Sequence, residues 1–220
     1  MRRKIVHIGF GFCAFLLAFL PRPISIIIVL TALCIDLLAF HPGVKYGEKA
    51  FNFMAREVDR RWGLLIGPTI YILVVLFIVL VFDIRVAAFA FALLAFGDGF
   101  ATVVGKKIGS HIIWKGKTIE GFIGFILFGT VFSSTAFIVV SLFQQDGRSL
   151  VAPYWFLLLP SSETLLNISV LPAVLLIITT VVGICAFLEL FFGDYIDDNI
   201  LVPISSSILI TITLKLAILV

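Results

Sequence analysis

Charged residues are scarce in this sequence: Asp, Glu, Lys and Arg make up 13% of its 220 residues, against roughly 25% in an average soluble protein. Histidine and cysteine are each present three times, with no cysteine pair at CxxC spacing. Cys13, Cys34 and Cys185 all sit inside apolar runs, where cysteine reads as a small packing residue rather than a metal or redox ligand. There is no internal repeat, low-complexity tract or soluble appendage. What abounds is apolar: 61% hydrophobic residues, 23 of them Phe, and a mean hydropathy of +1.21. That balance excludes a water-soluble globule, a disordered chain and a nucleic-acid-binding domain. The net charge of +3 implies no partner by itself. An integral membrane protein is what remains.

Crossing about 30 Å of hydrocarbon takes around 20 mostly apolar residues. Seven runs predict helices near that length: Ile5–Leu20, Ile24–Phe40, Leu64–Phe82, Val86–Val104, Ile119–Phe143, Leu171–Phe192 and Ile200–Val220. The expected architecture is therefore all-α, a single polytopic domain over residues 1–220 with about seven transmembrane helices. The first two runs are short and need snorkelling ends or local thinning. Val151–Pro160, bracketed by Pro153 and Pro160, is too short to cross and reads as an interfacial or re-entrant piece with Tyr154 and Trp155 at headgroup depth. Arg56 and Glu57 belong to an amphipathic second connection, expected to form an interfacial helix between spans 2 and 3. The N-terminal basic residues and apolar run could open a signal peptide, but Ala18-Phe19-Leu20-Pro21 is a poor cleavage site, so the run is read as a retained span.

The basic residues give the orientation. Arg2, Arg3 and Lys4, then Lys45, Lys49, Arg56, Arg60 and Arg61, then Lys106, Lys107, Lys115 and Lys117 share one face in a seven-span topology. Arg22, Arg85 and Arg148 fall on the other. The N-terminus is expected in the cytoplasm and the C-terminus opposite, in a prokaryotic cell membrane or an organelle membrane.

The same topology puts an acidic sixth connection, with Glu189, Asp194, Asp197 and Asp198, beside the basic fourth one. Ionisable groups at a membrane edge are costly and are functional candidates by default. Gathered opposite charges suit a phosphate substrate held by lysines and by a metal on carboxylates. Asp98, in Phe96-Gly97-Asp98-Gly99, shares a helix face with Thr102 and Gly105, four and seven residues on. Its alternative role is a helix cap or a partner for a nearby lysine, and Gly105 and Gly109 could serve helix packing alone. Thr118 is a candidate N-cap of the fifth span, with Glu120 in its first turn. The free N–H groups there, with Lys117 and Gly121, would make a phosphate cradle. The GxxxxGK[ST] spacing of a Walker A motif is absent. Asp197-Asp198-Asn199 suits Mg²⁺, or else caps the last span ahead of Pro203. His7, three and four residues after Lys4 and Arg3, is a ligand or general-base candidate. Asp36 also lies toward the cytoplasmic end of its span.

Gly97-Asp98-x-x-Ala101-x3-Gly105-Lys106-x-x-Gly109, followed by Lys117-Thr118-x-Glu120-Gly121, resembles the dolichol kinase/phytol kinase family of polytopic lipid kinases. Arg3-Lys4-x-x-His7, Arg56-Glu57 ahead of Gly67-x3-Tyr71, and Glu189 ahead of Asp197-Asp198-Asn199-x3-Pro203 extend the resemblance along nearly the whole chain. The resemblance implies transfer of a phosphoryl group from a nucleotide, commonly CTP, to a lipid alcohol within the bilayer, with Mg²⁺. It implies Asp98, Glu189, Asp197, Asp198 and Asn199 around the metal. Phosphates would lie on Arg3, Lys4, Gly105, Lys106, Lys117, Thr118 and Gly121. Asp98, His7, Lys117 and Glu120 would do the chemistry. One departure is the short linker between Gly109 and Lys117, whose basic residues are His111 and Lys115. Phosphatidate cytidylyltransferases share the aspartate and the KT-x-EG segment, but their C-terminal His-Gly-Gly and Asp-Arg signature is missing. A CTP-dependent diacylglycerol kinase is a further alternative. A small transporter or scaffold would place polar residues at the midplane of paired halves, and neither is visible. Helices so uniformly apolar carry no readable sign of acceptor chain length or of oligomeric state.

Overall fold

A computed structural model describes residues 2–40, 43–45, 47–144 and 159–219. In chain order these form α1 (Arg2–Gly11), α2 (Cys13–Leu16), α3 (Arg22–Leu38), α4 (Glu48–Met54), α5 (Glu57–Trp62), α6 (Ile66–Val81) and α7 (Ile84–Ala92). A π-helical turn (Leu93–Asp98), α8 (Gly99–Ile108), β1 (Ile112–Trp114) and β2 (Lys117–Thr118) follow. Then come α9 (Ile119–Phe143), α10 (Ser162–Leu165), α11 (Leu171–Phe192) and α12 (Asp198–Leu219). The architecture is nearly all helix, as expected, apart from the small β1–β2 hairpin.

The centre of the bundle is one continuous helix, Ile84–Ile108, built from α7, the π turn and α8. From Val86 to Phe96 only Phe91, at 6%, exposes any measurable surface. The sequence explains this position. Alanines and glycines crowd the segment, alanine is the best helix former, and small residues let neighbouring helices approach closely where lipid offers no hydrophobic drive between them. Asp83 starts the helix by accepting from the Arg85 N–H at 3.0 Å. Helix α9 packs along all three parts of the central helix, α12 packs on α7, the π turn, α6 and α11, and α1 crosses the π turn and α8.

Within the described residues each of the seven apolar runs is mostly helical, and the run Leu171–Phe192 coincides with α11 and Ile119–Phe143 with α9. Among the described residues four helices are long and apolar enough to cross a membrane: Ile84–Ile108, Ile119–Phe143, Leu171–Phe192 and Asp198–Ala217. Helices α3 and α6, at 17 and 16 residues, reach only about 25 Å at 1.5 Å per residue. The first run departs from the expected unbroken span. It divides at Phe12, and its second half tightens into three-residue bonds such as Phe15 N–H to Phe12 O at 3.2 Å. The cause is a crossing that hydropathy does not register: a Cβ on Gly11 would lie 2.5 Å from that of Ala95. The second connection also differs, forming two short helices rather than one interfacial helix. Asp59, 2% exposed, organises the break by accepting from Arg56 N at 2.7 Å and Ile66 N at 3.0 Å. The Val151–Pro160 segment, Tyr154 and Trp155 included, lies outside the described residues except for Leu159 and Pro160.

The connections sort to two ends of the bundle. At one end Arg22 donates to Phe82 O at 2.7 Å, Arg85 to Pro160 O at 2.8 Å, and Gln144 to Leu20 O at 3.1 Å. The first, third and fifth connections thus meet there. At the other end Lys4 reaches Asp198, Lys117 reaches Glu189 and Lys115 reaches Tyr195, while α4 of the second connection packs on α1.

The first of these ends holds a buried ion pair. Arg85 grips Asp83 with two bonds, Nη2 to Oδ2 at 2.7 Å and Nε to Oδ1 at 2.9 Å, and also reaches Ser162. Arg85→Met should therefore cost about 3–5 kcal/mol, because it leaves a buried carboxylate without its cation. Arg85→Lys should recover only part of that, since an ammonium cannot form the fork. Thermal unfolding in detergent micelles checks both; an unchanged midpoint in Arg85→Met would show that the pair carries no structural weight.

Candidate active site

Asp98 closes the π turn and is 2% exposed. A π turn shifts the backbone hydrogen-bond register and is common at functional sites. Lys4 of α1 donates both to Asp98 Oδ2 and, at 3.0 Å, to Asp198 Oδ2 at the first residue of α12. One ammonium therefore joins three helices. His7 lies one turn after Lys4, with Nε2 3.1 Å from Leu94 O in the π turn and 3.7 Å from Asp98 Oδ2. A carbonyl can only accept, so Nε2 carries the proton in this arrangement. That leaves Asp98, rather than His7 Nε2, as the group able to take a proton at this point. The His7 ring also packs on Tyr71 with ring centres 4.5 Å apart.

The oxygen set expected around a metal is divided. Asp98 and Asp198 meet at Lys4. Asp197 instead holds Asn199, accepting from its Nδ2 at 2.7 Å and its backbone N–H at 2.9 Å, so it acts as a cap at the start of α12. Glu189 pairs with Lys117, whose Nζ lies 3.0 Å from Oε1 and 2.5 Å from the Glu189 carbonyl. Among the described residues no three His, Cys, Asp or Glu side chains gather on one point. The side chain of Arg3 lies outside the described residues.

One helical turn beyond Asp98, Thr102 and Gly105 line a cavity of about 220 Å³ whose other walls include Lys106, Lys117, Thr118, Gly121 and Glu189. This volume is below the roughly 300–1,000 Å³ of whole-ligand pockets and suits part of a ligand, such as a phosphate chain. Two glycines create it by bringing α8 and α9 to backbone contact. A Cβ on Gly105 would lie 3.1 Å from Thr118 Oγ1, and one on Gly121 would lie 3.0 Å from Ala101 O. Thr118 caps α9 as expected, its hydroxyl accepting from Gly121 N–H at 3.2 Å.

The hairpin that delivers Lys117 is absent from the sequence expectation. It turns at Lys115 (φ 43°) and Gly116 (φ 82°), and the Lys-Gly pair between Trp114 and Lys117 was the signal available for it. Lys115 hydrogen-bonds to the Tyr195 hydroxyl at 3.1 Å and lies 3.6 Å from Asp194. The Tyr195 bond is the main reason its ammonium pKa is held above the ordinary lysine value. Glu120 does not line the cavity; it takes Ser110 Oγ and His111 Nδ1, each at 2.7 Å, and so ties the Gly109–Lys117 linker to α9. Asp36 serves packing, accepting from Thr69 at 2.6 Å between α3 and α6.

Over half its length the chain is similar to a probable phytol kinase. That relative is the "Probable phytol kinase, chloroplastic" of Triticum aestivum, 34% identical over 127 residues, which cover 52% of this chain and 42% of the relative. The chain thus matches less than half the length of that curated relative. No family model and no solved structure matches it.

The Lys4 centre yields a coupling prediction. Lys4→Met leaves two acids facing one another and should destabilise the protein. Adding Asp98→Asn should restore part of the loss, giving a non-additivity of about 0.5–3 kcal/mol. A double-mutant cycle of thermal unfolding in detergent measures it, and strictly additive effects would mean that the two side chains do not interact.

Proposed function

We propose that the protein phosphorylates the hydroxyl of an isoprenoid alcohol, such as phytol, farnesol or a polyprenol, with CTP as donor. The single observation that carries this reading is the placement of the Asp98–Lys4–Asp198 centre one helical turn from a lysine-lined, glycine-walled cavity. Similarity to a protein named as a phytol kinase supports the same class of acceptor, and the apolar helices support one held in the bilayer.

Phosphoryl transfer asks little covalent work of a protein; it needs positioning and positive charge around a loose transition state. In the proposed reaction the alcohol oxygen bonds to the γ-phosphorus as the bond to the β-phosphate oxygen breaks, and CDP leaves. The alcohol's proton passes to the carboxylate pair. Lys106 and Lys117 neutralise the phosphates; the N–H groups expected to help them are taken at Ile119 by His111 O and at Gly121 by Thr118 Oγ1. Asp98 and Asp198 already converge on a cation, and Mg²⁺ characteristically takes one or two carboxylates together with substrate phosphates. The pair therefore fits the metal and would hold it, with Lys4 free to turn to a phosphate. When bound, Mg²⁺ supplies further charge neutralisation at the phosphate oxygens.

We also infer that this end of the bundle faces the cytoplasm, because the basic connections gather there. Tags at the N-terminus and in the second, fourth and sixth connections should all report one face, the cytoplasmic one. Finding the fourth and sixth connections on opposite faces would end the shared-site reading.

The decisive experiment incubates purified protein, Mg²⁺ and γ-labelled CTP with phytol, farnesol or geranylgeraniol. Label should move into the organic phase with release of CDP, and Asp98→Asn and Asp198→Asn should each abolish transfer in a folded, extractable protein. Transfer to diacylglycerol alone would reassign the acceptor. Label recovered only as pyrophosphate, and only when phosphatidate is supplied, would replace the kinase with a cytidylyltransferase.

A further inference from the structure

Tyr71 on α6 is 8% exposed, and its hydroxyl has no hydrogen-bond partner among the described residues. A buried polar group without a partner costs free energy comparable to a lost hydrogen bond. Phenylalanine would fill the same space, packing on the His7 ring and edge-on against Phe91 at 5.8 Å, without that cost. Two other unpartnered buried oxygens, on Thr130 and Ser207, belong to short hydroxyls that can rotate onto carbonyls of their own helix. A phenol oxygen stands too far from its own backbone to do so. Its need for a partner must be met from outside α6.

The location narrows that partner. The Tyr71 ring packs on His7, which lies 3.7 Å from Asp98 and one turn from Lys4. Tyr71 is the sixth residue of α6, about 7–8 Å along the helix from Ile66, and its hydroxyl is a polar point enclosed in the apolar packing beside His7. A lipid alcohol has the complementary form: one hydroxyl on a hydrocarbon chain.

We propose that the Tyr71 hydroxyl is the protein's hydrogen-bonding contact for the oxygen of the acceptor alcohol. It donates to that oxygen and holds it beside Asp98, while the hydrocarbon lies against the apolar surfaces around α1 and α6. This assignment rests on the proposed lipid-alcohol kinase reading and adds the residue that distinguishes an alcohol from a hydrocarbon.

The test is Tyr71→Phe in the full chain, purified in detergent or nanodiscs beside the wild type. The thermal midpoint should stay level or rise, since an unpartnered hydroxyl is removed. The KM for phytol should rise about tenfold with the KM for CTP unchanged. Retention of labelled phytol should fall by a similar factor, whereas retention of the corresponding hydrocarbon should not change. A lower midpoint would mean that the hydroxyl has a protein partner, and unchanged phytol KM and retention would mean that it has no ligand; either result overturns the assignment. If the wild type retains phytol through Tyr71 but transfers no phosphate to it, the kinase reading fails and the contact stands.

Discussion

The three helices that define the candidate site are held to one another by a single ammonium between two acids. Lys4 joins α1, the central helix and α12 through Asp98 and Asp198. Burying a carboxylate in an apolar bundle is expensive, and the attraction of one neighbouring cation offsets that cost only when geometry is good. The rest of the arrangement follows from meeting that condition. Helix α1 must cross the central helix closely, so it carries Gly11 at the crossing and breaks just beyond it. The central helix must present Asp98 at the crossing, and it does so at the end of a π turn whose Leu94 carbonyl is met by His7. Helix α12 must begin with an acid, and Asp197 and Asn199 close the turn that makes this possible.

The two ends of the bundle use charge differently. At the Arg85 end, Asp83 and Arg85 form a forked pair with side-chain exposures of 0% and 3%. Additional bonds to Leu159, Pro160 and Ser162 satisfy it. Such a closed network has little left to offer a ligand. At the Lys4 end Asp98 is equally buried, at 3%, but the groups around it keep partial exposure, 24% for Lys4 and for Lys117 and 28% for Asp198. The exposed lysines can exchange an acid for a phosphate, and buried Asp98 can exchange Lys4 only for another cation such as a metal. That difference separates an ionic lock from an ionic site.

How much could be read from the sequence depended on whether a signal was local. Helices α9 and α11 coincide with their runs because each is an unbroken apolar stretch ended by polar or glycine-containing segments. Gly105, Lys106, Lys117, Thr118 and Gly121 were legible as a group, since an i, i+4, i+7 face and an N-cap are short-range rules. The break at Phe12 was not legible, because it comes from a crossing partner more than eighty residues away. Asp197-Asp198-Asn199 read either as one metal cluster or as a cap of the last span, because the three are adjacent in sequence. At a helix start, adjacent side chains point different ways, and only Asp198 turns to Lys4. Tyr71 was visible only as part of a family-like spacing, since a tyrosine in an apolar run ordinarily reads as packing. What marks it is the missing partner of its hydroxyl, which only the folded arrangement exposes.

The proposed reaction must bring together two reactants that prefer different phases, and Asp98 lies between the groups assigned to each. On one side α8, α9, α11 and the hairpin enclose the lysine-lined cavity, whose hairpin turn at Lys115 and Gly116 is exposed to solvent. On the other, α1 and α6 bring His7 and Tyr71 against the π turn amid apolar surface. Asp98 and Thr102 belong to the same stretch of helix, linked by the Thr102 hydroxyl donating to Asp98 O at 3.2 Å. A phosphate chain in the cavity and a hydroxyl at Tyr71 would therefore approach Asp98 along different elements, α9 and the hairpin for one and α1 and α6 for the other. Attacking and leaving oxygens lie roughly in line in phosphoryl transfer. For that alignment the terminal phosphate must reach past Thr102 to the Asp98 end of the cavity, since a helix about 10 Å across cannot stand between the attacking and leaving oxygens.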